Sequence, residues 1–475
     1  MLQVLNNFFS VLQAENISFC NWKDHHATQN HINGIGDLDL YVPINQKSRF
    51  EEIARKEGFR RVLSFQSGHD HIEHYYGLDE INSTFVHLHV YFKIITGEHV
   101  SKNYDLPLDK YLMSNMDASK VLPTLNATAQ RSIFLIRYFL KIGSLYGLLQ
   151  YFRESEKYSK EWSFFDHNSS FKSIPELDIS IEDFKDLNEV YKSPFWPKKI
   201  YLSIKFKRKL KSFKRRKYFN YQIFVINNFF IRLLNKFFLK KQKILIPGAL
   251  IAICGLDGSG KSTLVTNLRT NLSKHFCTKV FHLGRPSSNF YTFLFNFFIS
   301  GYSFLKRLKI PTKKSSPDIT KEISLIYAFR SVLLAYDRKI LSKKAFNYSR
   351  NGYLVICDRY PGLEQGKMDS PRIPKNKSRG FVYQLCYGLE QKLYTSIENA
   401  KFIFQLSVPL EIAIQRNSLR TKFGKETEAE IKQRFAINSE AQFLGDNYHT
   451  IDATQPFEMV LKQVIKELWH SDNWR

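Results

Sequence analysis

A glycine-rich turn that follows an apolar run carries the clearest chemistry in this chain. Leu250–Cys254 is continuously apolar, which is typical of a strand buried on both faces. The next residues are Gly255-Leu256-Asp257-Gly258-Ser259-Gly260-Lys261-Ser262, and helical sequence follows from Thr263 to Leu272. Glycines let backbone N–H groups point at phosphate oxygens, and a helix N-terminus adds positive potential. The motif predicts that residues 255–263 bind ATP, with Lys261 on the β- and γ-phosphates and Ser262 on Mg²⁺.

A second apolar run ends in an acidic and a basic residue. Tyr353–Cys357 predicts another buried strand, and Asp358-Arg359-Tyr360 lies at its carboxyl end. Open α/β sheets bind their ligands at that end of the strands. Asp358 could therefore organise Mg²⁺, and Arg359 could bind a phosphate in a bidentate manner. A surface ion pair is the alternative.

Basic residues follow a third predicted strand, Phe402–Val408. The helical sequence that begins at Leu410 carries Arg416 and Arg420, which are spaced i,i+4 and so share one face. A basic loop over residues 421–425 comes next, before a helix predicted over 428–440. Mobile basic loops close over nucleotides and neutralise charge on a transferring phosphoryl group. A solvated, charged helix end is the alternative interpretation.

With these motifs the C-terminal half, roughly Ala249–Leu468, resembles the thymidylate kinase family of P-loop kinases. The matching segments, in chain order, are Gly255–Thr263, Asp358–Tyr360, Arg416 with Arg420, and Ile451–Pro456, which resembles the segment near the adenine site. The resemblance implies transfer of the γ-phosphoryl group of ATP to a phosphate-bearing acceptor. In the family the default acceptor is dTMP, a nucleoside monophosphate.

The resemblance also implies roles for individual residues. Asp257 would lie near the acceptor, and Arg338 and Arg359 would bind the acceptor phosphate. The phosphate loop carries Gly258 and Ser259 and so has no arginine that could act as a catalytic cation. The catalytic cations would therefore come from the lid, with three candidates: Arg416, Arg420 and Lys425.

Departures from the family concentrate on the acceptor side. Leu334 occupies the position of a phenylalanine that stacks on thymine, and Pro361–Gln365 replaces a serine and an A-Y-Q run that help to read the base. The aromatic stretch Phe290–Phe304 enlarges the region before Arg338. A sugar phosphate or a lipid-linked phosphate, as used in surface polysaccharide synthesis, is therefore an alternative acceptor.

Two carboxylates near the N-terminus suggest a second site. Asp37 and Asp39 are spaced i,i+2 on a predicted strand, so both can reach one divalent cation. The segment resembles the D-x-D strand of polymerase-beta-like nucleotidyltransferases, although the glycine-serine pair expected upstream is missing. His87 and His89 stand on the strand expected to give a third carboxylate, and imidazole is a good metal ligand. A catalytic two-metal site and a degenerate binding or scaffolding domain both remain open.

The pattern of predicted strands, predicted helices and basic residues divides the chain into three zones. Residues 1–121 mix strands and helices and suit an α+β nucleotidyltransferase-like domain. Residues 122–247 read as a helical, basic connecting region, and 248–475 alternate strands with helices as a parallel α/β sheet does. The apolar residues of 132–152 recur at helical spacing, which predicts helical structure over this range.

The net charge of +26 has a local origin. Residues 198–243 contain sixteen Lys and Arg and no Asp or Glu. Such a zone could contact nucleic acid, and the P-loop domain would then act as a regulator of a nucleic-acid-associated module. It could also contact an anionic membrane surface through the apolar stretch Phe219–Leu239. A solvated linker helix packed on the domains is the third interpretation.

The remaining expectations concern location and assembly. Five widely spaced cysteines without a C-x-x-C pair favour a reducing cytosol over a disulfide framework or zinc site. The N-terminus has no basic n-region or small-residue cleavage site, which argues against a secretory signal. The sequence thus predicts a cytoplasmic protein, with peripheral contact at the inner membrane face as an alternative. A homodimer is compatible with the sequence.

Overall fold

The computed structural model describes residues 1–471, apart from 65–68, 99–100, 167–168, 236–242, 246, 285, 288, 296, 298–323, 377, 419–426 and 439–440. The contacts divide the chain into two compact units, Met1–Ile246 and Pro247–Arg475. Each unit has its own sheet and its own buried residues.

The first unit is built on a mixed sheet. Its described strands are β1 Cys20–Asn21, β2 Asp37–Tyr41, β3 Arg60–Ser64, β4 Ile72–Asp79, β5 Thr84–Tyr91, β6 Ile94–Thr96, β7 Tyr104–Leu106, β8 Met116–Asp117, β9 Thr124–Leu125 and β10 Lys243–Leu245. Eight of these form one sheet in the order β10-β3-β4-β5-β2-β1-β9-β8, and β6 pairs with β7. β2 runs parallel to β5, which sets Asp37 beside His87 and Asp39 beside His89.

Helices cover this sheet and continue beyond it. In the described residues they are α1 Gln3–Ala14, α2 Thr28–His31, α3 Lys47–Lys56, α4 Asp109–Ser114, α5 Ala127–Lys141, α6 Leu145–Phe164, α7 Ile181–Lys192, α8 Trp196–Lys209 and α9 Tyr218–Leu234. The helical structure predicted over 132–152 is therefore two helices, α5 and α6. Gly143 separates them with φ +96°, a left-handed conformation that ends a helix and that glycine adopts without strain.

The helical region predicted as a connector packs into the first unit. Phe134 and Leu140 of α5 lie in the same hydrophobic core as Tyr41 and Tyr91 of the sheet. Arg137 of α5 also binds a carboxylate from each side, Asp24 at 3.0 Å and Glu161 at 2.8 Å. The contacts thus group the predicted zones 1–121 and 122–247 together, because the apolar positions of α5 are buried by the sheet that precedes them.

Part of the basic zone is paired with acidic groups of the first unit. Four cations of residues 198–243 each lie within 3.3 Å of a carboxylate: Lys198 of Glu189, Lys207 of Glu98, Lys209 of Asp183 and Arg215 of Asp70. These pairs agree with the interpretation of a helical zone packed on its own domain. The excess charge of the sequence is thereby partly neutralised locally.

The second unit contains the predicted parallel sheet. Its described strands are β11 Ala249–Gly255, β12 Thr278–His282, β13 Leu354–Asp358, β14 Ala400–Ser407 and β15 Gly445–Asp452, in the order β12-β13-β11-β14-β15. All neighbouring pairs are parallel. This confirms the α/β fold class, and the three strands predicted around the motifs begin and end within two residues of the observed ones.

Helices connect these strands. The described ones are α10 Lys261–Leu272, α11 Leu325–Arg350, α12 Phe381–Thr395, α13 Leu410–Ser418, α14 Glu428–Asn438 and α15 Phe457–His470. The aromatic stretch 290–304 falls largely outside the described residues. Across the described part of both units, no helix combines the length and the apolar content needed to cross a bilayer.

The strand order brings the two predicted motifs together. β11 lies between β13 and β14, with Ile253 opposite Asp358 and Gly255 opposite Leu406. Because the strands are parallel, the loop after β11 and the loop after β13 emerge at the same edge of the sheet. The phosphate loop and Asp358-Arg359 are therefore neighbours.

Candidate active site

The loop after β11 has the backbone conformation that its glycines permit. Gly255 has φ +137°, and a Cβ there would lie 2.6 Å from the carbonyl oxygen of Leu406 on β14. Gly260 has φ +90°, with no atom within 4 Å of the position a Cβ would take. The first glycine allows close strand packing, and the second leaves open space beside the N-terminus of α10. Both features suit a loop that admits a phosphate chain.

Lys261 is positioned at the mouth of this loop. Its Nζ donates to the carbonyl oxygen of Leu256 at 2.6 Å and lies 3.6 Å from Asp257. The side chain is buried, and burial lowers the pKa of its ammonium group. Ser259 Oγ is also buried and has no hydrogen-bond partner among the described residues. A buried cation beside an unpartnered hydroxyl fits the predicted phosphate-binding role.

Ser262 and Asp358 form the predicted cation site. Ser262 Oγ at the start of α10 donates to Asp358 Oδ2 at 3.3 Å. Asp358 Oδ1 is buried and has no hydrogen-bond partner in the described structure. An unsatisfied buried carboxylate oxygen is costly unless something binds it. A hydroxyl and a carboxylate oxygen are ligands that Mg²⁺ prefers, so these residues fit the cation.

Asp257 connects three cationic side chains. Its Oδ1 lies 2.5 Å from Arg359 Nη2, and its Oδ2 lies 2.8 Å from Arg434 Nη1 of α14. Arg359 has φ +69°, a conformation that non-glycine residues rarely adopt and that is enriched at functional sites. Although burial opposes it, Asp257 and then Asp369 raise the pKa of Arg359. The guanidinium is thus fixed next to the phosphate loop.

Arg338 is placed differently from its predicted contact with the acceptor. Its side chain is fully buried and donates to the carbonyl oxygen of Leu283 at 3.1 Å, to the Tyr394 hydroxyl and to Asp369 at 2.7 Å. Asp369 Oδ2 in turn lies 3.4 Å from Arg359 Nη1. The helix α11 directs Arg338 into the protein and not towards solvent. Arg338 therefore holds Asp369, and Asp369 in turn contacts Arg359.

The predicted lid is described only in part. Arg416 on α13 donates to the carbonyl oxygen of Ala453 at 2.8 Å, which joins it to the predicted adenine-side segment 451–456. Arg420 and Lys425 lie outside the described residues. Leu334, the residue at the thymine-stacking position, is half-buried on α11.

Three residues of this site have no signal in the sequence that identifies them. Asp369 lies in the segment between β13 and α12, and Arg434 is one of several charged residues on an exposed helix. Gly284, just after β12, faces Arg359, because an added Cβ would lie inside 3.0 Å of Arg359 Cδ. Each contacts a motif residue through long-range packing, so no local pattern points to it.

The N-terminal carboxylates are engaged by protein groups. Asp37 contacts His87 Nδ1, and Asp39 Oδ1 lies 3.0 Å from His89 Nδ1 and 2.8 Å from Lys23 Nζ. Burial lowers the pKa of His89 well below its usual value, so its imidazole is neutral. Among the described residues, no group of three or more His, Cys, Asp or Glu side chains is arranged to hold a metal. The ammonium group of Lys23 thus pairs with Asp39, one of the two predicted metal ligands.

Sequence comparison gives relatives that match about half of the chain. No protein-family model matches it. The "Uncharacterized ATP-binding protein YghR" of Escherichia coli K12 is 28% identical over 225 residues, 46% of this chain and 86% of that protein. YghS of the same strain, also an uncharacterized ATP-binding protein, is 28% identical over 233 residues, 47% and 93% respectively. The thymidylate kinase of Mycoplasma mobile is 24% identical over 227 residues, 46% and 96%.

Solved structures of kinases also align with the chain. A thymidylate kinase from Candida albicans has 20% identity and a TM-score of 0.29, covering 48% of this chain and 94% of its own. The deoxyadenosine kinase of M. mycoides has 13% identity and a TM-score of 0.24, covering 46% and 98%.

The second unit has a P-loop kinase-like fold. The kinase and ATP-binding relatives, the five-stranded parallel sheet and the phosphate loop at its edge agree on this point. None of these relatives is a nucleotidyltransferase, so the resemblance stated for residues 1–121 has no support from them.

Proposed function

We propose that the second unit transfers the γ-phosphoryl group of ATP to a phosphate-bearing small molecule. The observation that carries this proposal is the convergence of Lys261, the Ser262–Asp358 pair and the Asp257–Arg359 pair at one edge of the sheet. The first two suit a nucleotide with its cation, and the third suits the acceptor. Phosphoryl transfer needs little beyond such positioning and charge neutralisation.

Lys261 and the backbone of residues 255–263 would hold the ATP phosphates. In the structure Lys261 Nζ is bound to a carbonyl oxygen of its own loop, a weaker acceptor than a phosphate oxygen, so it can exchange one for the other. Ser262 and Asp358 would hold Mg²⁺, which neutralises charge on the phosphates when bound. Arg416, with Arg420 and Lys425, would add cations from the lid side.

Arg359 would bind the phosphate of the acceptor. It is held by Asp257 and Asp369, and an incoming phosphate would share or replace the contact with Asp257. This arrangement recognises the phosphomonoester group of the acceptor but not the rest of the acceptor molecule. A nucleoside monophosphate is the acceptor suggested by the kinase relatives, whereas Leu334 in place of an aromatic side chain favours a sugar phosphate or lipid-linked phosphate.

Removal of the loop lysine tests the proposed reaction. Lys261→Ala should reduce ATP turnover by roughly 100-fold or more, since one preorganised charge at the transferring group is commonly worth that much. The control is Lys274→Ala, which removes an exposed lysine shortly after α10. Turnover would be measured with a panel of nucleoside monophosphates and sugar phosphates in the presence of Mg²⁺. Full turnover by a folded Lys261→Ala protein would exclude the proposal.

We also infer a contact between α9 and an anionic membrane surface. Four of its aromatic and aliphatic side chains are more than half exposed: Phe219, Ile226, Phe229 and Phe230. Arg216 and Lys217 precede this face, and interfacial helices combine these features. Vesicles containing phosphatidylserine should retain the protein, and Phe229→Ser with Phe230→Ser should release it. Retention on duplex DNA with no retention on vesicles would instead favour nucleic acid.

A further inference from the structure

A cavity of about 570 Å³ lies in the first unit, and its lining residues all belong to that unit. The carboxylates of β2 border it on one side, and the last turn of α5 and the side chains of α6 border it on another. Trp22, Tyr91 and Tyr158 give it aromatic walls. Cavities of this size with a few convergent polar groups are typical of small-molecule sites.

Three of the five cations that line this cavity have carboxylate partners. Lys23 lies 2.8 Å from Asp39, and Lys157 lies 2.9 Å from Asp24. Arg137 binds Asp24 as well as a glutamate of α6. These ion pairs engage Asp24 and Asp39, two of the acidic residues of the cavity wall, with the three cations.

Lys102 and Lys141 have no such partner. Lys102 Nζ donates to the Tyr91 hydroxyl at 3.1 Å, and Lys141 Nζ donates to the Tyr158 hydroxyl at 3.1 Å. Among the described residues, no carboxylate lies within ion-pairing distance of either ammonium group. Both side chains are half-buried and line the cavity, so a solute can reach them. Two desolvated cations without an anion are costly, which marks the position where an anion would bind.

The environment of these lysines strengthens this interpretation. Burial, followed by repulsion from neighbouring cations, lowers the pKa of Lys102 and of Lys141 to about 7 each. Lys102 also has φ +37°, a left-handed conformation that a non-glycine residue adopts at some cost. Lys141 is among the cations that lower the pKa of Lys102, and both side chains line the same cavity.

A neutral donor belongs to one of the residues that line the cavity. The indole nitrogen of Trp22 is buried and has no hydrogen-bond acceptor in the described chain. A buried indole N–H normally finds a partner. A phosphoryl group carries three acceptor oxygens, so it can accept from both lysines and from the indole at once.

We infer that this cavity is a second ligand site, which binds a small molecule through a phosphate group held by Lys102, Lys141 and Trp22. The inference does not depend on the proposed phosphotransfer, because no residue of the second unit contributes to it. The cavity wall would receive the remainder of the ligand between Tyr91, Tyr151 and Tyr158.

Calorimetric titration with inorganic pyrophosphate tests this site. The full chain would carry Lys261→Ala in every sample, which weakens phosphate binding at the loop of the second unit and keeps any remaining contribution from that unit the same in all samples. In that background, Lys102→Met and Lys141→Met should each weaken pyrophosphate binding by at least 10-fold. Lys160→Met, which removes an exposed lysine of α6 paired with Glu156, is the matched control and should leave the affinity unchanged.

Further measurements make the outcomes decisive. The methionine variants should melt at or above the temperature of the parent, because each loses a half-buried cation that has no carboxylate partner, so weaker binding cannot be assigned to unfolding. Equal affinity in the lysine variants and in the control would overturn the site. Citrate, a carboxylate anion, should bind at least 10-fold more weakly than pyrophosphate, and equal binding would contradict the phosphate class.

Discussion

Arg359 Nη2 lies 2.5 Å from Asp257 Oδ1, so the residue after β13 is tied to the second residue after the strand β11. The same carboxylate reaches Arg434 at 2.8 Å and Lys261 at 3.6 Å. One acidic side chain therefore organises cations that serve both the nucleotide side and the acceptor side of the proposed reaction. Its negative charge also weakens the attraction of those cations for phosphates. Asp257 therefore weakens phosphate binding while it improves the orientation of the cations.

Asp257→Asn separates these two effects. Loss of the carboxylate should leave the affinity for a non-hydrolysable ATP analogue equal or higher, because Lys261 loses a competing anion. Turnover should fall by roughly 100-fold, since a catalytic group misplaced by about 1 Å can cost that much. Steady-state kinetics and analogue titration measure the two quantities. Turnover within twofold of the parent would show that Asp257 does not orient Arg359.

Gly284→Ala tests the position of Arg359 without changing any charge. A Cβ at Gly284 would lie inside 3.0 Å of Arg359 Cδ, so the arginine must move. We expect kcat/KM for the acceptor to fall by about 10- to 100-fold, with little change in the affinity for the ATP analogue. Gly388→Ala is the control: it lies on α12, and nothing lies within 4 Å of its added Cβ. A Gly284→Ala protein with parental kinetics would contradict the expected clash.

The phosphate loop could be predicted because its signals are local. The apolar run of β11, the spacing of the glycines and the start of α10 all lie within about twenty residues, and each constrains the next. Asp369 and Arg434 could not be predicted, since their partners are distant in sequence and their own neighbours carry no pattern. Arg338 followed the family motif, but only the packing of α11 reveals that its guanidinium is buried.

In the first unit the sequence predicted the strand that carries the two carboxylates but not the groups that contact them. The i,i+2 spacing placed Asp37 and Asp39 on one strand correctly. It could not reveal that Lys23 and two histidines contact these carboxylates, because the contacts depend on how β1 and β5 flank β2. The apolar period of α5 predicted a helix, yet periodicity alone does not say which sheet buries it.

Asp369→Asn should destabilise the second unit. Asp369 lies 2.7 Å from Arg338, whose side chain is fully buried, so the variant leaves an uncompensated cation inside the protein. Breaking one partner of a buried ion pair costs about 3–5 kcal/mol of the free energy of unfolding. Calorimetric melting would measure the change, with the exposed Asp446→Asn as the control. Adding Arg338→Met should restore part of the loss, and no restoration would contradict the ion-pair explanation.

Asp358→Asn should change the response to magnesium. The buried Oδ1 of Asp358 has no protein partner in the described structure, and the variant would place a neutral amide there. We expect the Mg²⁺ concentration needed for half-maximal turnover to rise by about 10- to 100-fold, the range found when groups that support a metal are removed. Activity measured against increasing Mg²⁺ tests this. An unchanged magnesium requirement would remove Asp358 from the cation site.

Charged and titratable groups around the two lysines of the first unit determine how its proposed ligand responds to pH. Burial is the main cause of the lowered pKa values of Lys102 and Lys141. Other charged groups contribute, some cationic and some acidic: Lys23, Arg137, Arg232, Asp24, Asp39 and Glu161, and Lys141 also acts on Lys102. Cations lower the two pKa values and carboxylates raise them.

Anion binding to this site should weaken as the pH rises above 7. In the free protein Lys102 and Lys141 have a pKa of about 7, and a bound anion favours their protonated forms, so binding takes up protons above that pH. Each proton taken up lowers the affinity by about 10-fold per pH unit, whereas below pH 7 the affinity should level off. Sulfate is the suitable probe, because its own charge is constant between pH 6 and pH 8.5. In the Lys261→Ala background the affinity for sulfate should fall across this range. The double variant Lys102→Met with Lys141→Met should abolish this dependence on pH. An affinity for sulfate that rises with pH would contradict the assignment of the two lysines.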